Sequence, residues 1–242
     1  MNVWPPTPVL KGTLLAASRG TLRRVNNLGR QRACPLCGWT GFHFKAIRKN
    51  AVYRPEAECP DCHALERHRD AFAILHEEIG VDHRVLHVAP EPMLAPWLRR
   101  VARDYLSIDL APLAMRQMDL TALDLPDACM SLVWCSHVLE HILDDHAAMR
   151  EMHRVLVPGG RAIIQVPIDG ERTREDASLT TDAQRLAAFG QSDHVRMYGT
   201  DIESRLRSAG FRVRRRSAEE LAPHVIRRHG LDGSDLFDCW KP

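Results

Sequence analysis

The 242-residue chain lacks any apolar run approaching the ~18 residues needed to cross a bilayer. It has no secretory pattern at its start, where Pro5, Pro6 and Pro8 intervene and no apolar h-region follows. Charge of one sign is also missing: 33 Lys and Arg stand against 31 Asp and Glu, a formal +2. That balance excludes the strongly basic profile of a dedicated nucleic-acid binder, while leaving room for a local basic face. No internal repeat is present. These absences predict a cytoplasmic protein without a membrane span. In a reducing compartment the seven cysteines are expected to be free or metal-bound rather than paired.

What is present is ordinary for a globular chain, 45% hydrophobic and 26% charged. The length suits one large domain with a small appendage. Residues 1–33 read as a basic tail or loosely docked helix carrying Arg19, Arg23, Arg24, Arg30 and Arg32. Residues 34–64 hold the cysteine pairs, and 65–242 form the main domain. A helix is predicted over 65–79, stopped by Gly80. Short apolar runs then alternate with amphipathic segments. Strands are predicted at 84–88, 105–110, 131–135, 161–167 and 211–215, with helices at 93–102, 145–156 and 201–209. A last edge strand is expected at 235–240. Runs rich in Val, Ile and Leu separated by helices indicate an α/β fold with a parallel sheet covered on both faces. The polar stretch within 168–199 reads as an insertion over that sheet.

The cysteines carry the sharpest motif. Cys34-Pro-Leu-Cys37 and Cys59-Pro-Asp-Cys62 are C-x2-C pairs separated by 21 residues. Each pair forms a tight knuckle that points two thiolates at one ion, and two knuckles complete a tetrahedral sulfur shell for Zn²⁺. Gly38 suits the sharp turn of the first knuckle. Four protein ligands leave no open coordination position, so the zinc is expected to be structural. His63, beside Cys62, is read as a helix-start residue rather than a ligand.

The segment VLHVAPEP (85–92) lies where a doubly wound sheet holds a nucleotide, at a strand end before a helix N-terminus. Its loop has none of the glycines that usually let a ligand approach the backbone. Asp109 ends the next strand, 22 residues after His87. This is close to the ~20-residue offset at which an acidic side chain reaches ribose hydroxyls.

Residues 126–167 read PDACMSLVWCSHVLEHILDDHAAMREMHRVLVPGGRAIIQVP. The combination of HVLEH with RVLVPGG resembles the class I methyltransferases of the large type 11 group, and YGTDIESRLRSAGFRV (198–213) resembles that group's last helix and strand. The resemblance implies a Rossmann-like, doubly wound, mostly parallel seven-stranded sheet behind a small zinc ribbon or knuckle module. It also implies S-adenosylmethionine (SAM) as cofactor. The loop 89–92 stands where that group has a glycine-rich motif. A subgroup of zinc-bearing bacterial methyltransferases has a similar H-x-A-P-E loop. By this resemblance His87 and Ala89 belong to the cofactor loop, and Glu91 holds the methionine ammonium. Asp109 and Leu110 lie at the ribose, Asp119 at the adenine amino group and Leu120 on the base. Ser136 and His137 lie below the sulfonium.

Transfer to a hydroxyl calls for a base, and the candidates are His137, His141 and His194. His137 ends a strand on the ligand-binding side of the sheet, and His194 ends the polar insertion; these two are preferred. Arg196 is an alternative anchor for an acidic substrate. The expected function is O-methylation of a small-molecule or sugar-containing acceptor. The alternatives are RNA methylation, with Lys45, Arg48, Lys49 and Arg54 tracking phosphates, and a non-catalytic interaction protein built on the same fold.

Overall fold

Strands form where β-branched and aromatic residues can be buried on both faces, and the computed structural model of the chain follows those runs. It describes residues 31–49, 52–80 and 82–242. The basic segment expected over 1–33 lies outside them, apart from its last three residues.

The main sheet contains β5 (His83–Val88), β6 (Ala102–Asp109), β7 (Arg116–Gln117), β8 (Met130–Ser136), β9 (Leu156–Gln165), β12 (Arg212–Arg216) and β13 (Leu236–Trp240). Their order is β12-β13-β9-β8-β5-β6-β7. Only β13 runs against its neighbours; the pairs β6–β7, β5–β6, β5–β8 and β8–β9 are parallel. Helices α1 (Glu66–Leu75), α2 (Ala95–Val101), α3 (Asp145–Val155) and α5 (Ile202–Ser208) connect or cover it.

Alternating side chains of the central strands feed two cores. Leu86, Val88, Val133 and Cys135 pack with Met149, Met152 and Leu206 on one face. Val85, Leu132, Trp134 and Ile163 pack with Leu75, Trp97 and Leu98 on the other. Burial on both faces explains why these strands read as continuous apolar runs. Asp144 caps α3, its carboxylate accepting the Ala147 N–H at 2.8 Å.

Two expectations need correction. The strand predicted at 235–240 is not an edge: β13 inserts between β9 and β12, and Asp238 is buried there against Arg161 Nε at 3.0 Å. The edge on that side is β12, whose exposed Arg212, Arg214 and Arg215 discourage further strand pairing. The strand expected from residue 105 already begins at Ala102, directly at the end of α2.

The polar segment 168–199 is ordered by a short hairpin, β10 (Arg174–Glu175) with β11 (Arg196–Met197), and by α4 (Asp182–Phe189). Ahead of α1, β1 (Arg32–Ala33) pairs with β2 (Thr40–Gly41), and β3 (Lys45–Lys49) with β4 (Val52–Glu58). Thus Arg32 and Ala33, expected in the tail, join the cysteine-bearing module. That module is clamped to the main domain by Arg69 of α1, which is fully buried. Arg69 donates to the carbonyls of Glu56, Ala57 and Ala64 on one side, and to those of His229 and Gly230 on the other. His229 ends α6 (Pro223–His229).

Candidate active site

From β5 the chain runs outward through β6 and β7, then returns to β8 on the other side of β5. The carboxyl ends of β5 and β8 therefore flank the topological switch point, where ligands bind in open α/β sheets. Both strands are followed directly by a non-glycine residue with left-handed backbone: Ala89 at φ +46° and His137 at φ +53°. The loop 89–92 has no glycine, yet Ala89 adopts the conformation glycine favours. Strain of this kind, paid for by the surrounding fold, collects at functional sites. The Ala89 N–H bonds the Ile108 carbonyl at 2.8 Å, and the His137 N–H bonds the Gln165 carbonyl at 2.8 Å.

His87 is fully buried and points beneath the loop rather than into the crevice. Its Nε2 lies 2.6 Å from Glu91 Oε2 and its Nδ1 2.9 Å from the Tyr105 hydroxyl. Burial pushes the Glu91 carboxyl up, yet the His87 hydrogen bond and charge outweigh it and hold the group below the usual range. Among the described residues, Glu91 Oε1 is buried without a hydrogen-bond partner. Such an oxygen is costly unless a donor reaches it, and an ammonium group fits that need.

Asp109 ends β6 partly exposed, with Oδ1 accepting the Ala111 N–H at 2.8 Å. Leu110 beside it is 65% exposed, a free apolar surface. Asp119 is exposed, and its Oδ1 accepts from the backbone and hydroxyl of Thr121, both at 2.8 Å. Leu120 is buried in the core with Val88, Ile108 and Leu123. Ser136 is buried and reaches Gln165 Oε1 at 3.5 Å.

Beyond His137 lies a cleft of about 520 Å³, lined by Arg67, His137, Glu140, His141, Gln191 and His194 among others. It joins the strand end to the insertion. His194 is 2% exposed, and burial lowers its pKa below the ordinary imidazole value. Arg196 does not face this cleft. It is buried, donating to the carbonyls of Leu139, Ile142 and Leu143 and to Glu175, so four of its five N–H donors are spent clamping the insertion.

Sequence reasoning left Glu140 without an assigned role, since a carboxylate at the start of a helix can pack or cap as readily as catalyse. It is 1% exposed, and its Oε2 has no partner among the described residues. Arg67 was passed over as well, because one Arg in the run LERHRD looks like an ordinary solvated charge.

In the cysteine module Cys34 Sγ lies 3.7 Å from Cys62 Sγ, and Cys37 Sγ 3.7 Å from Cys59 Sγ. All four sulfurs lie within 4.8 Å of one another. An ion ~2.3 Å from four tetrahedral sulfurs requires neighbouring sulfurs ~3.8 Å apart, so the shell has the dimensions of a zinc site. Burial, with neighbouring thiols adding to it, pushes Cys37 up to about 12, and a bound cation would relieve that crowding. The knuckles are near-duplicates: Gly38 N–H bonds Cys34 O at 2.9 Å and His63 N–H bonds Cys59 O at 3.0 Å. Gly38 at φ +75° and His63 at φ +62° occupy the same turn position. His63 is thus a knuckle residue that contacts Glu58 at 2.8 Å, and the helix starts only at Glu66.

Comparison with known proteins follows the same outline. Residues 71–164 match the family described as Methyltransferase domain. A 27-O-demethylrifamycin SV methyltransferase from Amycolatopsis mediterranei is 30% identical over 107 residues, covering 44% of this chain and 38% of that protein. The chain therefore spans well under half the length of this curated relative. Among solved structures, the YcgJ protein of Bacillus subtilis superposes with a TM-score of 0.51 at 14% identity, over 71% of this chain and 97% of its own. The [4+2]-cyclase SpnF gives 0.51 at 19% identity, over 77% of this chain and 86% of its own. The architecture is the Rossmann-like methyltransferase fold, with seven mostly parallel strands. Its occurrence in a cyclase shows that the site, not the fold, must carry the functional argument.

Proposed function

We propose that this chain is a SAM-dependent methyltransferase acting on an oxygen of a small-molecule or sugar-containing acceptor. The reading rests on Glu91, whose one oxygen is held by His87 while the other is buried without a hydrogen-bond partner among the described residues. Bound SAM supplies a methyl group on an activated sulfonium leaving group. Glu91 holds the methionine ammonium, with His87 positioning it from below. Asp109 takes the ribose hydroxyls and Asp119 the adenine amino group, with Ala89 shaping the loop. Leu110 is the apolar surface available to the base, and Leu120 supports the site from the core. Ser136 and His137 border the reacting centre. His194 or His137 accepts the acceptor's proton, and alignment in the cleft supplies the larger part of the acceleration.

An oxygen acceptor is favoured by the relative named for a 27-O-demethylrifamycin SV substrate. An RNA substrate is less favoured, because two of the cations that would track phosphates already face carboxylates: Lys45 lies 3.9 Å from Glu58, and Arg54 is paired with Glu66. The side chain of Lys49 lies outside the described residues. Zinc on Cys34, Cys37, Cys59 and Cys62 is structural in this reading, and a reducing cytoplasm keeps the four thiols available for it.

Titration calorimetry with SAM and its demethylated product tests the cofactor site. Binding is expected for both, and ligand at about 100 times its dissociation constant should add ~2.7 kcal/mol to stability. No heat from either would end the catalytic reading. Elemental analysis should find one zinc per chain in the cysteine site, lost in Cys59→Ser.

A further inference from the structure

We infer that Glu140, His141 and His194 form a second metal site, for a divalent first-row transition ion, in the wall of the acceptor cleft. One ligand atom from each of the three lies within 4.8 Å of the others. The imidazoles of His141 and His194 stand nearly perpendicular, at 87°, with centroids 4.7 Å apart. Two imidazoles and one carboxylate are a borderline N,O ligand set suited to iron, cobalt, nickel or zinc.

Hydrogen bonding singles out the atoms that would bind. His141 Nδ1 donates to the Asp193 carbonyl at 3.2 Å, with the Asp193 carboxylate at 3.4 Å, which leaves Nε2 with its lone pair. Glu140 Oε1 meets His137 Nδ1 at 3.2 Å, which leaves the buried Oε2. Among the described residues, neither ring nitrogen of buried His194 has a hydrogen-bond partner. Outer partners that fix one atom of a ligand and leave the other free are the usual second layer of a metal site.

The backbone holds the three together. The Val195 N–H bonds the Glu140 carbonyl at 2.9 Å, and Arg196 ties the insertion to the Leu139 carbonyl at 3.0 Å. Three protein ligands leave coordination positions open toward the cleft. An acceptor with two adjacent oxygens, such as a hydroxyl beside a carbonyl or a second hydroxyl, would fill them. The ion would then lower the pKa of the bound hydroxyl and hold its oxygen for methyl transfer. This use of the ion rests on the proposed function; its binding does not. The inference assigns His194 to the ion and leaves His137 as the base.

The test uses the full chain with its cysteine site already loaded with zinc. Cobalt(II) is added and followed by calorimetry and visible absorption. One further equivalent should bind, with ligand-field bands but no thiolate-to-cobalt charge transfer. His141→Ala, a part-exposed position, should weaken that equivalent by roughly 100-fold or more. It should keep the cysteine-bound zinc, the thermal melt and the heat of SAM binding. Glu140→Gln should act alike. Zinc-loaded protein that takes up no cobalt, or a His141→Ala variant with undiminished affinity, overturns the metal site. Cobalt binding without SAM binding keeps the metal site and removes the proposed function.

Discussion

The ring of His87 grips one oxygen of Glu91 at 2.6 Å, while the Tyr105 hydroxyl fixes the other ring nitrogen at 2.9 Å. The carboxylate is thereby held in place just past the end of β5. Charge on Glu91 should therefore matter more to the cofactor than to the fold. Glu91→Gln retains a hydrogen bond to His87 but loses the charge. A charge-assisted bond contributes about 1.5–3 kcal/mol, so SAM should bind roughly 10- to 150-fold more weakly. Calorimetry with SAM measures this, and unchanged affinity would show that Glu91 does not meet the ammonium.

The loop ahead of Glu91 carries its own signature. Ala89 sits at φ +46°, where a Cβ meets the following carbonyl. Ala89→Gly should relieve that clash and raise the unfolding free energy by about 1 kcal/mol, less the extra freedom glycine brings to the unfolded chain. Urea midpoints measure the change. A clear loss of stability would mean that the alanine methyl makes a compensating contact.

The sheet and the cysteine quartet were legible in the sequence because each leaves a local mark: apolar runs of strand length, and paired C-x2-C knuckles. The interior place of β13 was not legible, since a five-residue apolar strand reads the same at an edge or between neighbours. The left-handed turns at Ala89 and His137 were hidden because neither residue is glycine. Arg69 carries no mark in the sequence, and Arg196 reads as an anchor for an acidic substrate. Their role as buried clamps depends on carbonyls distant in the chain, which no periodicity reports.

Arg69 is the more consequential clamp. Its guanidinium serves five carbonyls and stacks over the Phe44 ring at 4.0 Å. Lysine offers three donors on one atom and cannot span that set. Arg69→Lys should cost about 2–4 kcal/mol, from carbonyls left without a donor. Hydrogen exchange should rise in β4 and α6 together, because one side chain ties both. Faster exchange in only one of them would show that the two attachments are independent.

Next to Arg69, Asp70 sets an unusual pH dependence. It is fully buried, and Oδ2 accepts the Ser234 N–H at 2.9 Å. Burial and the neighbouring Asp232 carboxyl raise its pKa to about 9, against the smaller opposing pull of the Ser234 N–H and Arg69. In the unfolded chain the group has an ordinary carboxyl pKa of ~3.9. Between these values the folded state holds a proton that the unfolded state has released. The associated stability is complete below the unfolded value and is lost as pH rises through the folded one. A neutral carboxamide in place of this carboxyl would imitate the protonated acid, accepting from Ser234 and donating toward Asp232. Asp70→Asn should therefore gain on the order of 2 kcal/mol over the parent at pH ~8, and distinctly less at pH ~5. Urea unfolding of both proteins at the two pH values isolates this residue, because every other titrating group is shared. Parallel pH profiles would show that Asp70 folds in its charged form.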